Sequence, residues 1–295
     1  MTLLATSGFS ASGNQVSGAD EKERPLIATN TYPWQKFYGR SGRKYVPHSD
    51  HLLAEISSSG INGYEPIINS REEFEGLGPR LEQHGLTMKS IYVNSTLHEE
   101  SAVQKSQASV LKIAEAGKAL GLKIVVTNPS PIQWGGKAGK SDDQLKLQAK
   151  ALDQLGTALA EKGMTLAYHN HDMELQYGAR EFHHMLTATS PEVVKFCLDS
   201  HWIFRGCGNS EVALFDAVEH YHERVVELHL RQSQHGVWQE VFTMDGDIAY
   251  GRLFRRLKEA GIAPHLVLEQ AVEGRSPKSM KAQEAHAQSY QNLKK

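Results

Sequence analysis

The sequence predicts a single (β/α)8 barrel with a parallel eight-stranded core, and three observations predict it. From Pro25 onward, eight apolar, strand-like runs alternate with helical patterns. Strict βα alternation implies a parallel sheet with right-handed crossovers, and eight repeats are what a closed barrel needs. The competing fold, a doubly wound open sheet, carries a glycine-rich phosphate loop after an early strand. The chain has neither GxGxxG nor GxxxxGKS/T.

The elements follow in order. The first strand is read as residues 26–31, and a helix at about 50–58 is capped by Ser49 and stopped by Gly60. The second strand is 63–67, and its helix opens on the capping box Ser70-x-x-Glu73 and ends at Gly85. The third strand, 87–93, leads to a long helix at about 99–120 that stops at Gly121. The fourth strand is 123–127. Its helix starts at Ser141-x-x-Gln144, lines up Leu145, Leu152, Leu155 and Leu159 on one face, and stops at Gly163. The fifth strand, 165–170, precedes a short helix around Phe182, Met185 and Leu186. The sixth strand, 194–199, precedes a helix at about 211–221 capped by Ser210. The seventh strand is 225–230, followed by a helix at 248–260 capped by Asp247 and stopped by Gly261. The eighth strand is 266–269, and Ser276-Pro277 opens a final alanine-rich helix.

A chain of 295 residues can bury a large core as one domain. The net charge of -2 argues against a nucleic-acid partner that depends on a strong positive field, and no segment has the ~20 apolar residues that cross a bilayer. The two cysteines, Cys197 and Cys207, give neither a disulfide framework nor a zinc-site spacing and are expected to be buried small residues. Residues 1–24 read as a disordered tail or the remnant of an export signal, with 25–295 the barrel. The location is accordingly cytoplasmic, or periplasmic if the tail is a truncated signal. A homo-oligomer is compatible with all of this.

Functional residues of such a barrel stand at the C-terminal ends of its strands. Here the apolar runs end in Glu65 (second strand), His169 and His171 (fifth), Asp199, His201 and Trp202 (sixth), His229 and Arg231 (seventh) and Glu269 (eighth). Carboxylates and imidazoles at the mouth of an apolar barrel need a partner. When five strands deliver them to one rim, a shared cation is the economical partner. A mixed nitrogen and oxygen set suits Mn, Co, Zn or Fe, and Mg less well. Glu65 is expected to touch metal or substrate. The remaining histidines in helices, His183, His184, His220 and His222, are expected at the surface.

These residues carry a resemblance to the xylose-isomerase-like TIM barrel superfamily, the sugar phosphate isomerase/epimerase family, over residues 25–293. Its motifs are Asn30-Thr31-Tyr32-Pro33-Trp34, Gly63-Tyr64-Glu65, Tyr168-His169-Asn170-His171, Leu198-Asp199-Ser200-His201-Trp202, His229-Leu230-Arg231 and Leu268-Glu269-Gln270. The resemblance implies one divalent metal ion held by strands five to eight. Carried over, the ligands are His169, Asp199, His229 and Glu269. The family usually places glutamate where His169 stands, which puts a symmetric two-carboxylate epimerisation in doubt. A shift of two would make His171 the ligand. After His229, relatives often carry Lys-Asp where this chain has Arg231-Gln232, and the 233–247 loop is long enough to cover the site.

The implied chemistry is proton abstraction next to the carbonyl of a keto-sugar or keto-glycoside. Glu269 is the expected base, His171 and His201 are the candidate acids, and Arg231 is the expected stabiliser of negative charge. Trp34, Trp202, Trp238 and Glu240 are expected to contact the sugar. A metal-dependent lyase or dehydratase is the alternative. A non-catalytic sugar-binding barrel and an endonuclease IV-like phosphodiesterase stand further off. The latter is disfavoured because strands three and four end in Asn94 and Asn128, which are poor ligands.

Overall fold

The computed structural model describes residues 25–294. The expected tail at 1–24 lies outside the described residues. Eight parallel strands form one sheet: Ile27–Asn30, Gly63–Glu65, Ser90–Tyr92, Ile124–Thr127, Thr165–His169, Val194–Asp199, Val225–Leu230 and His265–Leu268. Numbered in that chain order, they run two, one, eight, seven, six, five, four, three across the sheet. The ends of that series meet through single bridges, Gly63 to Thr87 and Ile67 to Tyr92, so the sheet closes into a barrel with its seam between strands two and three.

Strand alternation sorts the side chains into two cores. Phe196, Leu198, Leu228, Leu230 and Leu268 belong to the large core under the surrounding helices. Tyr92, Ile124, Val126, Ala167 and Cys197 form a small apolar group inside the barrel. The strand-end polar residues sit on the inward face above that group.

The caps at Ser49, Ser141 and Ser210 are made as the sequence suggests, each side chain accepting from a backbone amide of its helix. The Ser70 capping box opens a single 3-10 turn, Arg71–Phe74, and Gly76 in a left-handed conformation (φ 65°) separates it from the helix Leu77–Gln83.

Two helices were not expected. Thr31–Arg40 begins directly on strand one, because Asn30 turns its side chain to accept from the Tyr32 amide at 2.7 Å. Ser200–Gly206 begins directly on strand six, capped by Asp199. Thr31 to Trp34 therefore belong to a helix and not to the first strand. The helix after strand seven is Tyr250–Glu259, and Asp247 does not cap it. Asp247 instead accepts from Ser233, His235 and Gly236, and so ties down the hairpin of Ser233–Gln234 with Val237–Trp238. The last helix, Ala282–Leu293, starts well after Ser276-Pro277. Among the described residues, no helix is long and apolar enough to cross a membrane.

Candidate active site and metal centre

Four adjacent strands bring His169, Asp199, His229 and Glu269 together. One ligand atom of each lies within 4.8 Å of the others, and all four residues are buried. Asp199 ends strand six, and its two oxygens are divided. Oδ1 accepts from the amides of His201 (3.1 Å) and Trp202 (2.9 Å), which leaves Oδ2 facing inward. Asn170 fixes the backbone here, with Oδ1 accepting from the Asp199 amide and Nδ2 donating to its carbonyl, each at 3.1 Å. His229 is the register partner of Asp199 on strand seven, and its Nδ1 lies 2.6 Å from Glu269 Oε2. Glu269 follows strand eight, where its amide donates to Leu230 O at 2.8 Å. His169 ends strand five, with its carbonyl held by Asn128 Nδ2 at 2.9 Å. Both His169 ring nitrogens are buried without a hydrogen-bond partner, and Nε2 lies 3.7 Å from Asp199 Oδ2. Two imidazoles and two carboxylates, with one imidazole unsatisfied, fit a divalent transition ion.

Arg231 is 1% exposed, and its guanidinium bridges Asp199 Oδ2 and Glu269 Oε2. Burial alone would raise the Asp199 carboxyl, but the Arg231 charge beside it outweighs burial and holds it well below the usual range. Arg231 also lies over Trp202, 5.0 Å from the ring centroid.

A second charged layer sits behind His229. Its Nε2 lies 3.1 Å from Glu65 Oε2 and 3.3 Å from Glu227 Oε1, and Asn30 donates to Glu65 at 2.6 Å. Burial works against the Glu65 charge, yet His229 and Asn30 hold its pKa down to about 2. Burial and the neighbouring Glu65 charge push the Glu227 carboxyl above the usual carboxylate range. A carboxylate on the far nitrogen of an imidazole fixes the ring's orientation. Glu65 therefore lies behind His229, away from the open rim where a substrate contact was expected. Glu227 was missed, although Glu227 and His229 two apart on one strand share a face.

The outer wall is aromatic. The His171 ring is 4.7 Å from His169 and 5.8 Å from Trp202. The Trp238 ring is 5.7 Å from Trp202 and 4.2 Å from His201. Burial, with the His169 ring alongside, lowers the His171 pKa well below the ordinary value, so it stands as a neutral imidazole. The backbone at His171 is held by Glu174, which accepts from the His171 amide at 2.6 Å and from Asn128 at 3.1 Å. His201 is fully buried, with Nε2 2.9 Å from Ser233 Oγ and its pKa pushed by burial to about 3. It braces the hairpin, which removes it as an acid open to substrate.

Two expected sugar contacts lie elsewhere. Trp34, in the first turn of its helix, is fully buried, stacks on His286 at 4.1 Å and donates to Thr29. Glu240 pairs with Arg40 and accepts from the Ser279 amide and hydroxyl, fastening the loop to its neighbours. The same helix brings up Tyr32, half-buried and close enough to Arg231 and Glu269 to feel both charges. Tyr32 belongs to the Asn30–Trp34 motif, whose sequence alone gives it no role. The free thiols also divide, with Cys197 buried beside Glu227 and Cys207 half-buried.

A family model described as "Xylose isomerase-like TIM barrel" matches residues 53–295. An inosose dehydratase of Clostridium perfringens is 23% identical over 248 residues, spanning 75% of this chain and 81% of that protein. Among solved structures, a sugar phosphate isomerase/epimerase of Parabacteroides distasonis superposes with a TM-score of 0.71 at 18% identity, covering 95% of this chain and 97% of that one. The IOLI protein with a bound zinc atom superposes with a TM-score of 0.65 at 16% identity, covering 91% and 96%. At these identities the superpositions establish a shared fold. The family match spans most of the chain, which belongs to the xylose isomerase-like TIM barrel family.

Proposed function

We propose that the chain is a divalent-metal-dependent enzyme that removes the proton next to the carbonyl of a keto-sugar or keto-glycoside and returns it, as an isomerase or epimerase does. The observation that carries this reading is the convergence of His169, Asp199, His229 and Glu269 with the His169 nitrogens unsatisfied. These four residues would hold the ion. The donor set favours Mn, Co, Zn or Fe over Mg. A bound ion supplies polarisation of the carbonyl, which acidifies the neighbouring C–H.

The remaining roles belong to the chain. Glu269, at 8% the most exposed of the four, takes the proton. The electron pair moves to the carbonyl oxygen, and Arg231 stabilises the charge that develops there. His171, neutral and facing the mouth, relays a proton to or from a sugar hydroxyl. Trp202 covers the ring.

A second reading, elimination of a β-hydroxyl or of the glycosidic oxygen, is favoured by two features. His169 stands where a second carboxylate would make the base pair symmetric, and a relative is named inosose dehydratase. Both readings are tested by incubating the Mn-loaded protein with keto-sugars and 3-keto-glycosides in deuterated buffer. Deuterium in an unchanged carbon skeleton is the expected result. An unsaturated product or a released aglycone establishes elimination instead. Binding with neither exchange nor product, or turnover that survives a chelator, overturns the proposal.

A further inference from the structure

Most of the strand-end cluster is sealed. His169, Asp199, His229 and Arg231 are each at most 1% exposed, whereas Glu269 reaches 8%. His171, Trp202 and Tyr32 are half-buried around it, so a molecule that reaches Glu269 passes their faces. Beyond His171 stands Trp134, on the loop between strand four and the helix Asp142–Ala160. It is 53% exposed, and its ring stands nearly perpendicular to that of His171, 5.0 Å between centroids and 83° between planes. Trp34 and Trp238 are buried, at 0% and 5%. Ile132, on the same loop, is also exposed, at 41%.

Two polar atoms on this wall are buried and have no hydrogen-bond partner: His171 Nδ1 and Trp202 Nε1. The indole N–H can only donate, and a buried donor left unpaired is costly. An exposed indole face beside such atoms suits a ligand with an apolar ring face and hydroxyls at its edge.

We propose that Trp134 forms an outer subsite for a second ring, joined glycosidically to the sugar seated at the strand-end cluster. The chain then prefers keto-glycosides with a ring-bearing aglycone over free keto-sugars. The inference rests on the sugar reading above. The inner sugar's hydroxyls take up His171 Nδ1 and Trp202 Nε1, and the second ring lies on the Trp134 face. Two ring steps, 4.7 Å from His169 to His171 and 5.0 Å from His171 to Trp134, carry the wall outward from the first ring to the second.

The test is calorimetric binding of methyl 3-keto-β-glucoside, phenyl 3-keto-β-glucoside and a 3-keto-disaccharide to the Mn-loaded protein. The two ring-bearing glycosides should bind about fivefold tighter than the methyl glycoside, the size of one aromatic contact. In Trp134→Ala that ratio should fall to about one, and Trp134→Phe should restore part of it. The phenyl and disaccharide arms separate an aromatic from a sugar aglycone. Equal affinities in the native protein, with the methyl glycoside still turned over, overturn the subsite and leave the sugar reading standing. Failure of all three to bind overturns both. A preference that survives in Trp134→Ala, with or without a change in molecular mass by light scattering, also overturns it. A change in mass would assign Trp134 to contact between copies.

Discussion

The two halves of the barrel mouth are built from similar strand ends and behave differently. On strands three and four the Thr127 hydroxyl and the Asn128 amide donor are paired in place. Thr127 donates to Val93 O at 2.7 Å and lies 2.8 Å from Ser95 Oγ, and Asn128 reaches across to His169 O and Glu174. On strands five to eight the polar groups converge on one centre as charged pairs, with the His169 ring left out. His169 has no partner, and two carboxylates share one guanidinium. One half is mostly a hydrogen-bond network of its own, with Ser90 Oγ and Asn128 Oδ1 left over. The other is a set of donors and acceptors that an added cation would complete. The difference lies in side-chain type: hydroxyls and amides pair in place, whereas imidazoles and carboxylates on adjacent inward positions compete for the same centre.

The sharpest way to break the comparison is Asp199→Asn. The amide oxygen can still accept from His201 and Trp202, so the helix keeps its cap, but the inward anionic oxygen is gone. Metal analysis should fall from about one ion per chain to none, and turnover should be lost with it. Full occupancy in the variant would remove Asp199 from the ligand set. Next is Glu65→Gln, which leaves the four inward groups intact but weakens the partner behind His229. Metal affinity should fall about 10- to 100-fold by competition titration, with the fold unchanged by circular dichroism. Unchanged affinity would make Glu65 a structural carboxylate.

The border between the halves is Glu174, which joins Asn128 to the His171 backbone. Burial and the nearby Glu181 charge raise its pKa from 4.5 to about 7. The folded state therefore binds this proton more tightly than the unfolded chain does. That stabilisation is complete below about pH 4.5 and is lost as the pH rises through about 7. Over that window the native protein should lose up to about 3 kcal/mol relative to Glu174→Gln, read from urea unfolding at a series of pH values. Parallel pH profiles would refute the buried, protonated assignment. The smallest effect belongs to the half on strands three and four. Thr127→Ala should cost about 1–3 kcal/mol of stability and leave metal content untouched. A loss of metal there would show that the halves are not independent.

The strands were legible because each is an apolar run that stops at a polar residue, and three of the helices because Ser49, Ser141 and Ser210 cap them. What escaped was double use. Asn30 and Asp199 read as strand ends and are also helix caps, so the helices they start were hidden and Trp34 was placed at the mouth when it belongs to the core. The inward set from strands five to eight was visible as types at strand ends. Glu227 was not, because a carboxylate inside an apolar strand reads as an exception until its alternation with His229 is followed. Trp134 sits in a loop without periodicity, and its position against His171 depends on how the 128–141 chain folds back.

The barrel's seam between strands two and three has a consequence for breathing motions. Strands six and seven, which carry Asp199 and His229, lie at the middle of the strand series, as far around the ring from the seam as the sheet allows. A seam held by isolated bridges is where a closed sheet opens most cheaply. Amide hydrogen exchange should therefore be fastest along the second and third strands and slowest along the sixth and seventh. Excursions that briefly unzip the cylinder would leave the paired positions of Asp199 and His229 in register.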